Sequence, residues 1–208
     1  MPLSPYVLTT LGNTKDQLGV PSSNTNFDTL LERLINEASD RIETFCDRFL
    51  KQRTGITEYQ DGIAQDRILL DQWPATLPSE LWVDPTGLFT DTRYRLDPGA
   101  YALDLSARGE GIGVVRRDSC FFPRGTKNIK VVYDGGYANI PAALEGACLL
   151  TVQFLYDMRD NHSVGVETKG KNQENTTYRA NLPEYVQETL LAYKRAEWPT
   201  GDRALSTR

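Results

Sequence analysis

Few residues in this chain have the types and spacing that chemistry requires. Its one histidine is His162. A general base needs fixed geometry and a tuned pKa, and His162 sits in a polar stretch with no cysteine or acidic motif beside it. The three cysteines, Cys46, Cys120 and Cys148, are odd in number, far apart and without metal-ligand spacing, as expected of reduced thiols in a cytosolic protein. Gly109-Glu110-Gly111-Ile112-Gly113 contains a G-x-G, but it leads into a strand pattern. Phosphate cradling needs a helix N-terminus there, so a tight hairpin turn is the expectation. Lys169-Gly170-Lys171 lacks the upstream glycine and the Ser or Thr of a phosphate loop and reads as a solvated loop tip. Asp61, Asp66, Asp71, Asp97 and Asp104 lie near turns. Paired carboxylates could hold a cation or act as acid and base, yet these resemble ordinary turn and edge residues, with no calcium-loop spacing. No catalytic residue, metal or cofactor is expected.

The elements that would position such groups come next. The chain has 208 residues, 39% hydrophobic and 25% charged, enough for one large domain or a core with one insertion. The net charge of −5 is spread evenly. Residues 1–53 hold six basic and seven acidic side chains, residues 54–137 nine and twelve, residues 138–208 eight and nine. Phosphate-gripping proteins concentrate Lys and Arg; without such a cluster, tight DNA binding is not expected. The N-terminus lacks a basic start followed by an apolar run, so no signal peptide is expected. No uninterrupted apolar run approaches the roughly 20 residues of a membrane span.

The apolar periodicity divides the chain. Residues 5–18 are expected to form a short helix, with Gly12 against it. Thr25 or Asn26 can cap a second, whose stripe runs Phe27, Leu30, Leu31, Leu34, Ile35, Ala38, Ile42, Phe45, Cys46 and Phe49 at three- and four-residue steps, until Thr54-Gly55. From Gly55 to Gly136 the period falls to two. A strand around Ile56–Gln60 turns at Asp61-Gly62 into a returning strand at 67–70. Further strands are expected at 81–84, 92–96, 101–105, 113–116 and 128–133. Pro141 suits a helix start, and residues 142–160 follow as a helix that is apolar nearly all round from Ala147 to Tyr156. Such a helix must bury more than one face, and a second subunit is a candidate to cover one: Leu150, Phe154, Tyr156 and Met158 are the expected contact residues. Residues 161–181 are a long polar loop. Pro183 opens a last helix to Trp198, and residues 202–208 read as a free tail.

Three stretches carry a family likeness. They are Leu30-Leu31-x-x-Leu34-Ile35-x-x-Ala38-x-x-x-Ile42-x-x-Phe45-Cys46; Glu58-Tyr59-x-Asp61-Gly62 with Leu69-Leu70-x-x-Trp73-Pro74; and Val131-Val132-Tyr133-Asp134-Gly135-Gly136-Tyr137 with Ile140-Pro141, Ala147, Tyr156 and Arg159. In this order and spacing the chain resembles the head–tail connector (adaptor) proteins of tailed bacteriophages. It departs from the shorter, mainly helical connectors by a strand-rich insertion.

The expected fold is α+β: a helical connector core of residues 1–54 and 137–208, as the resemblance implies, and an inserted antiparallel β-sheet or small barrel, residues 55–136, as the period-two pattern implies. The resemblance also implies a structural subunit of the virion's head–tail interface, made in the bacterial cytoplasm. Copies would form a ring, expected as a dodecamer, beneath the portal protein. That ring would extend the DNA channel, with DNA passing unbound, and dock a stopper or tail-completion protein, with no membrane involved. By the same likeness the C-terminal helix and tail engage the portal, through Tyr193, Trp198, Arg203 and Arg208. Other expectations are a stopper or tail terminator, or a small hydrolase or carbohydrate-binding module using Trp73, Trp82 and Tyr94.

Overall fold

The computed structural model describes residues 2–106, 111–117, 120–160 and 182–195. The elements run α1 (Leu11–Leu18), α2 (Asp28–Cys46), β1 (Arg53–Gly62), β2 (Arg67–Leu69), β3 (Glu80–Val83), β4 (Tyr101–Leu105), β5 (Gly111–Arg117), β6 (Gly125–Gly135), α3 (Ala142–Asp160) and α4 (Glu184–Leu191). The fold is α+β.

Residues 5–10, expected to be helical, are not. The Thr10 side chain accepts from Asn13 N and caps α1 at its start, and Gly19 closes it at φ 67°, a conformation glycine adopts without strain. The residues before Thr10 are drawn along α2: Ser4 N donates to Asn36 Oδ1 at 2.9 Å and Leu8 N to Ser39 Oγ at 3.1 Å. Tertiary partners on α2 take these two amides and hold the segment along that helix. The turn before α2 closes on buried Lys15. Its ammonium donates to the carbonyls of Ser22 and Asn24 and pairs with Asp28 at 2.5 Å.

The expected α2 stripe is present, with Leu31, Leu34, Ile35, Ala38, Ile42 and Cys46 all buried. Its ends differ from expectation. Neither Thr25 nor Asn26 caps it; Phe27 is the N-cap and makes no side-chain cap bond. The helix stops at Cys46, where Asp47 turns left-handed at φ 52°, so Phe49 belongs to the following segment.

Strand pairing differs more. β1 does not form a hairpin with β2. It pairs antiparallel with β6 (Ile56↔Tyr133, Glu58↔Val131, Gln60↔Ile129), while β2 pairs with β5. The two three-stranded orders are β1-β6-β3 and β2-β5-β4, and no barrel closes among the described residues. Gly62 serves close approach here: a Cβ on it would meet Pro123 O at 1.8 Å. Asp61 accepts from Lys127 N at 2.6 Å instead of making a two-residue turn. The expected strand at 92–96 is a 3-10 turn over Thr92–Tyr94, capped by Asp91, with Arg95 bridging to Trp82. The last helix is shorter than expected, ending at Leu191.

Buried apolar residues form two clusters. One joins Leu8, α2, α3 and α4 through residues such as Ile35, Ile42, Leu144, Val152 and Leu190. The other fills the strand region with Ile68, Leu81, Tyr101, Val115, Phe122, Ile129, Val131 and Tyr133. They are called the helical lobe and the β lobe below.

Two thiols are shut into the helical lobe. Burial pushes Cys46 up to about 11 and Cys148 up to about 12, so neither offers a thiolate at neutral pH. Cys120 is exposed. A thiol reagent added to the folded protein at pH 7 should therefore modify one cysteine per chain, Cys120, and all three after denaturation. Mass mapping of the labelled peptides checks this.

Candidate assembly interface

The path into α3 is set by close backbone packing. β6 ends at Gly135, and Gly136 takes φ 101°. A Cβ there would lie 2.7 Å from Lys51 O. Tyr137 then pairs alongside the segment that enters β1: Tyr137 N donates to Leu50 O at 2.7 Å, and Gln52 N donates to Tyr137 O at 3.1 Å. The chain's way into and out of the β lobe is thus one doubly bonded crossing. The Pro141 carbonyl accepts from Leu144 N and Glu145 N and starts α3.

Three faces of α3 have different surroundings. Leu144, Ala147, Cys148, Thr151, Val152 and Leu155 are buried in the helical lobe. A second edge is polar and meets α1: Thr9 Oγ1 and Asn13 Nδ2 donate to Glu145, and Gln17 Nε2 donates to Gln153. On the third, Leu150 is 36% exposed and Phe154 and Met158 are half-buried, four residues apart. Tyr156 is elsewhere, packed against the helical core. So three of the four expected contact residues share one stripe.

The seam between the lobes is built on a buried cation. Arg48 is 4% exposed. Its guanidinium lies 3.4 Å from the centre of the Trp73 ring and 5.5 Å from that of Tyr137. No guanidinium nitrogen makes a well-formed hydrogen bond among the described residues, although the Tyr137 hydroxyl lies beside it. Burial holds Arg48 below the usual arginine range, offset in part by Tyr137. Tyr193 extends the stack, 6.1 Å from Tyr137. Arg195 completes the seam from α4's side. Its amide donates to Cys46 O at 2.8 Å, and its guanidinium pairs with Asp71 and, at 3.7 Å, with Asp47.

Beneath the stack, Gln72 Oε1 accepts from Phe49 N at 2.7 Å and Gln72 N donates to the Tyr133 hydroxyl at 2.9 Å. Tyr133 donates in turn to Glu58, which also accepts from Asp71 N and Gln60 Nε2. Burial raises Glu58 despite these donors. Burial, with Glu58 next to it, raises Tyr133 well above the phenol range.

Of the residues expected to engage the portal, Tyr193 is half-buried in the seam, and Trp198, Arg203 and Arg208 lie outside the described residues, as do His162 and Lys169-Gly170-Lys171. Four of the five aspartates have turn or edge roles: Asp61 accepts from Lys127 N, Asp66 pairs with Arg67 and Asp104 with Arg116, and Asp97 precedes a 3-10 turn; Asp71 instead pairs with Arg195 in the seam. Trp82 is buried, Trp73 lies in the seam and Tyr94 in a 3-10 turn, so they form no shared platform. Among the described residues no group of three or more His, Cys, Asp or Glu could hold a metal, and no helix is long and apolar enough to cross a membrane. Sequence reasoning missed Arg48, Arg195 and the Glu58–Tyr133 pair. Nothing in their spacing marks them, because each takes its partner from a distant part of the chain.

A family model described as head completion protein matches residues 7–196. No curated protein matches the chain. Among solved structures, the chain is similar to a chain in the neck of a native GTA particle computed with C12 symmetry. The TM-score is 0.58 and the identity 15%, covering 92% of this chain and 91% of that one. A chain in the neck of an empty GTA particle computed with C6 symmetry gives 0.58 and 15%, covering 91% of each. A chain in the virion of a native gene transfer agent particle gives 0.56 and 16%, again covering 91% of each. At such identities the likeness speaks for the fold.

Two outcomes follow from the seam. Trp73→Ala removes the platform under a buried charge and should lower stability by about 2–3 kcal/mol in urea unfolding, below the cost for a fully buried aromatic. The raised pKa of Glu58 means the folded state holds its proton more tightly than the unfolded chain does. The stability this contributes is complete below the ordinary value of 4.5 and is lost as pH rises through the raised one. Glu58→Gln should flatten that part of the curve of Tm against pH.

Proposed function

The chain belongs to the head completion protein family, and on that footing we propose that it is a structural subunit of the neck of a tailed phage or phage-like particle, a head–tail connector that assembles as a ring beneath the portal. The observation that carries this reading is the family match over residues 7–196. The likeness in fold to chains from necks computed with C12 and C6 symmetry supports a ring.

The physical features suit that role. A ring is built from heterologous contacts, so each subunit needs exposed surface that a neighbour can cover. The stripe of Leu150, Phe154 and Met158 on α3 is such a surface. Charge supports a conduit as well: −5 spread along the chain offers no basic track to hold DNA as it slides past. The role is structural and needs no catalysis. The C-terminal segment, from Tyr193 through Trp198, Arg203 and Arg208, faces the portal in this reading, and the opposite end of the ring receives the stopper or tail-completion protein.

Mixing the protein with the portal encoded in the same genome, and imaging the product by electron microscopy, tests the proposal. A portal carrying an added ring is expected; a bare portal overturns it. Deleting residues 199–208 should leave the thermal midpoint unchanged and weaken recruitment to the portal at least tenfold. Undiminished recruitment would remove the tail from the portal contact.

A further inference from the structure

Backbone strain collects at one end of the β lobe. Four described residues other than glycine are left-handed: Asp47, Ala64, Phe89 and Lys127. Asp47 ends α2. The other three take φ 59°, 54° and 46°. Ala64 follows β1, Phe89 follows β3 and Lys127 stands near the start of β6; strand register puts all three at the end of the lobe away from the seam. Such conformations cost energy in a residue with a side chain and persist only where the surroundings hold them. We propose that this end is a preformed docking platform for a neck protein other than this chain, one that offers an apolar surface with an acidic rim. The inference rests on the neck reading above and adds a contact surface to it.

Two buried polar residues hold the end together. Asn128 is 2% exposed: its side chain accepts from Gly62 N at 2.8 Å and donates to Pro123 O at 2.9 Å, and its carbonyl accepts from Asp84 N at 2.8 Å. Asp84 is 1% exposed and accepts from Thr86 N, Thr86 Oγ1 and Phe89 N, each within 2.8 Å. Asp61 accepts from Lys127 N at 2.6 Å, and a Cβ on Gly87 would lie 3.7 Å from Lys127 O. The loops after β1 and β3 and the segment entering β6 are thus one bonded unit. A satisfied buried network fixes a single geometry, and a surface fixed in advance loses little freedom when a partner covers it.

What this unit presents is apolar. Leu88 and Phe121, 71% and 68% exposed, are the two most exposed large apolar side chains among the described residues, and Tyr59 and Ile63 are each 54% exposed. The Tyr59 ring rests against Phe89 with centroids 5.5 Å apart, so a strained residue supports an exposed one. The charge left over is positive. Asp61 is taken up by Lys127 N, Asp66 by Arg67 and Asp91 by Arg93, and Asp84 is buried in its own loop. Arg124 and Lys127 are exposed and make no ion pair among the described residues. An apolar centre flanked by two unpaired cations is complemented by an apolar surface with an acidic rim. Gripping phosphates would take a larger cluster of cations and less apolar surface.

Position separates this contact from the one between copies. β6 runs eleven residues from this end to the seam, about 30 Å at roughly 3.3 Å per residue. α3 begins on the other side of the seam, and Arg195, at the end of the described chain, is tied to the seam through Cys46 and Asp71. A neighbour covering the flank of α3 does not reach the platform. The platform also lies far from the C-terminal segment that faces the portal in the reading above.

Site-specific photo-crosslinking in whole particles tests this. The photoreactive amino acid p-benzoylphenylalanine replaces Leu88 in the full-length protein. Particles made from the encoding genome are purified and irradiated, and cross-linked peptides are mapped by mass spectrometry. Adducts are expected to one other virion protein, distinct from the portal, at a peptide that carries Asp or Glu. With Arg124→Glu and Lys127→Glu added, the thermal midpoint should be unchanged and the yield of that adduct should fall at least tenfold. Adducts to a second copy of this chain, to the portal or to packaged DNA would overturn the platform and leave the neck reading standing. So would the absence of adducts from particles that contain the ring. An undiminished yield after charge reversal would overturn the acidic rim. Particles without this chain would overturn both readings.

Discussion

The architecture depends on how one buried charge is accommodated. Arg48 follows the end of α2, and its guanidinium sits over the Trp73 ring of the β lobe, with Tyr137 of the crossing strand to one side. Removing a guanidinium from water is costly, and a buried charge without a hydrogen-bonding partner recovers only part of that cost. Here recovery comes from the aromatic faces and from the Tyr137 hydroxyl beside the guanidinium, with Glu43 a smaller contributor. That compensation exists only while the lobes are in contact. Separating them would strand the cation beside two uncovered rings and break the Arg195 bridge from α4 to Asp71 at the same time. The seam therefore fixes the angle between lobes through several groups that succeed or fail together.

A subunit that must close a ring benefits from such a joint. Small errors in the angle between lobes would accumulate around the circle, so rigidity within each subunit is worth its energetic cost. The same crossing that carries Tyr137 leads directly into α3. The outward stripe on α3 is thereby oriented relative to the β lobe. Glu58 and Tyr133 support the seam from below and make its stability sensitive to pH, although neither touches Arg48.

Much of the local structure was legible in the amino-acid order. The α2 stripe, the α3 helix with its surplus apolar face and most strands follow from periodicity, which depends only on near neighbours. Long-range choices were not legible. Asp61-Gly62 has the composition of a hairpin turn, yet the ten-residue β1 finds a ladder of matching length in the eleven-residue β6, whereas β2 is only three residues long. Residues 5–10 have helical periodicity, but the segment is drawn along α2: Leu8 gives its amide to Ser39, and Ser4 just before it gives its own to Asn36. The candidate interface was half legible: Leu150, Phe154 and Met158 fall on one helical face by spacing, whereas Tyr156 packs inward. The seam was hidden, since Arg48, Trp73, Tyr137 and Arg195 are brought together only by the completed fold.

A cryo-electron microscopy reconstruction of the neck of the particle that encodes this protein would show the ring and the seam together. The expected result is a ring of copies beneath the portal, each fitted by both lobes as one rigid body with the Arg48 guanidinium still over the Trp73 ring. A neck without this chain, or copies whose lobes must be fitted separately with the seam open, would contradict it.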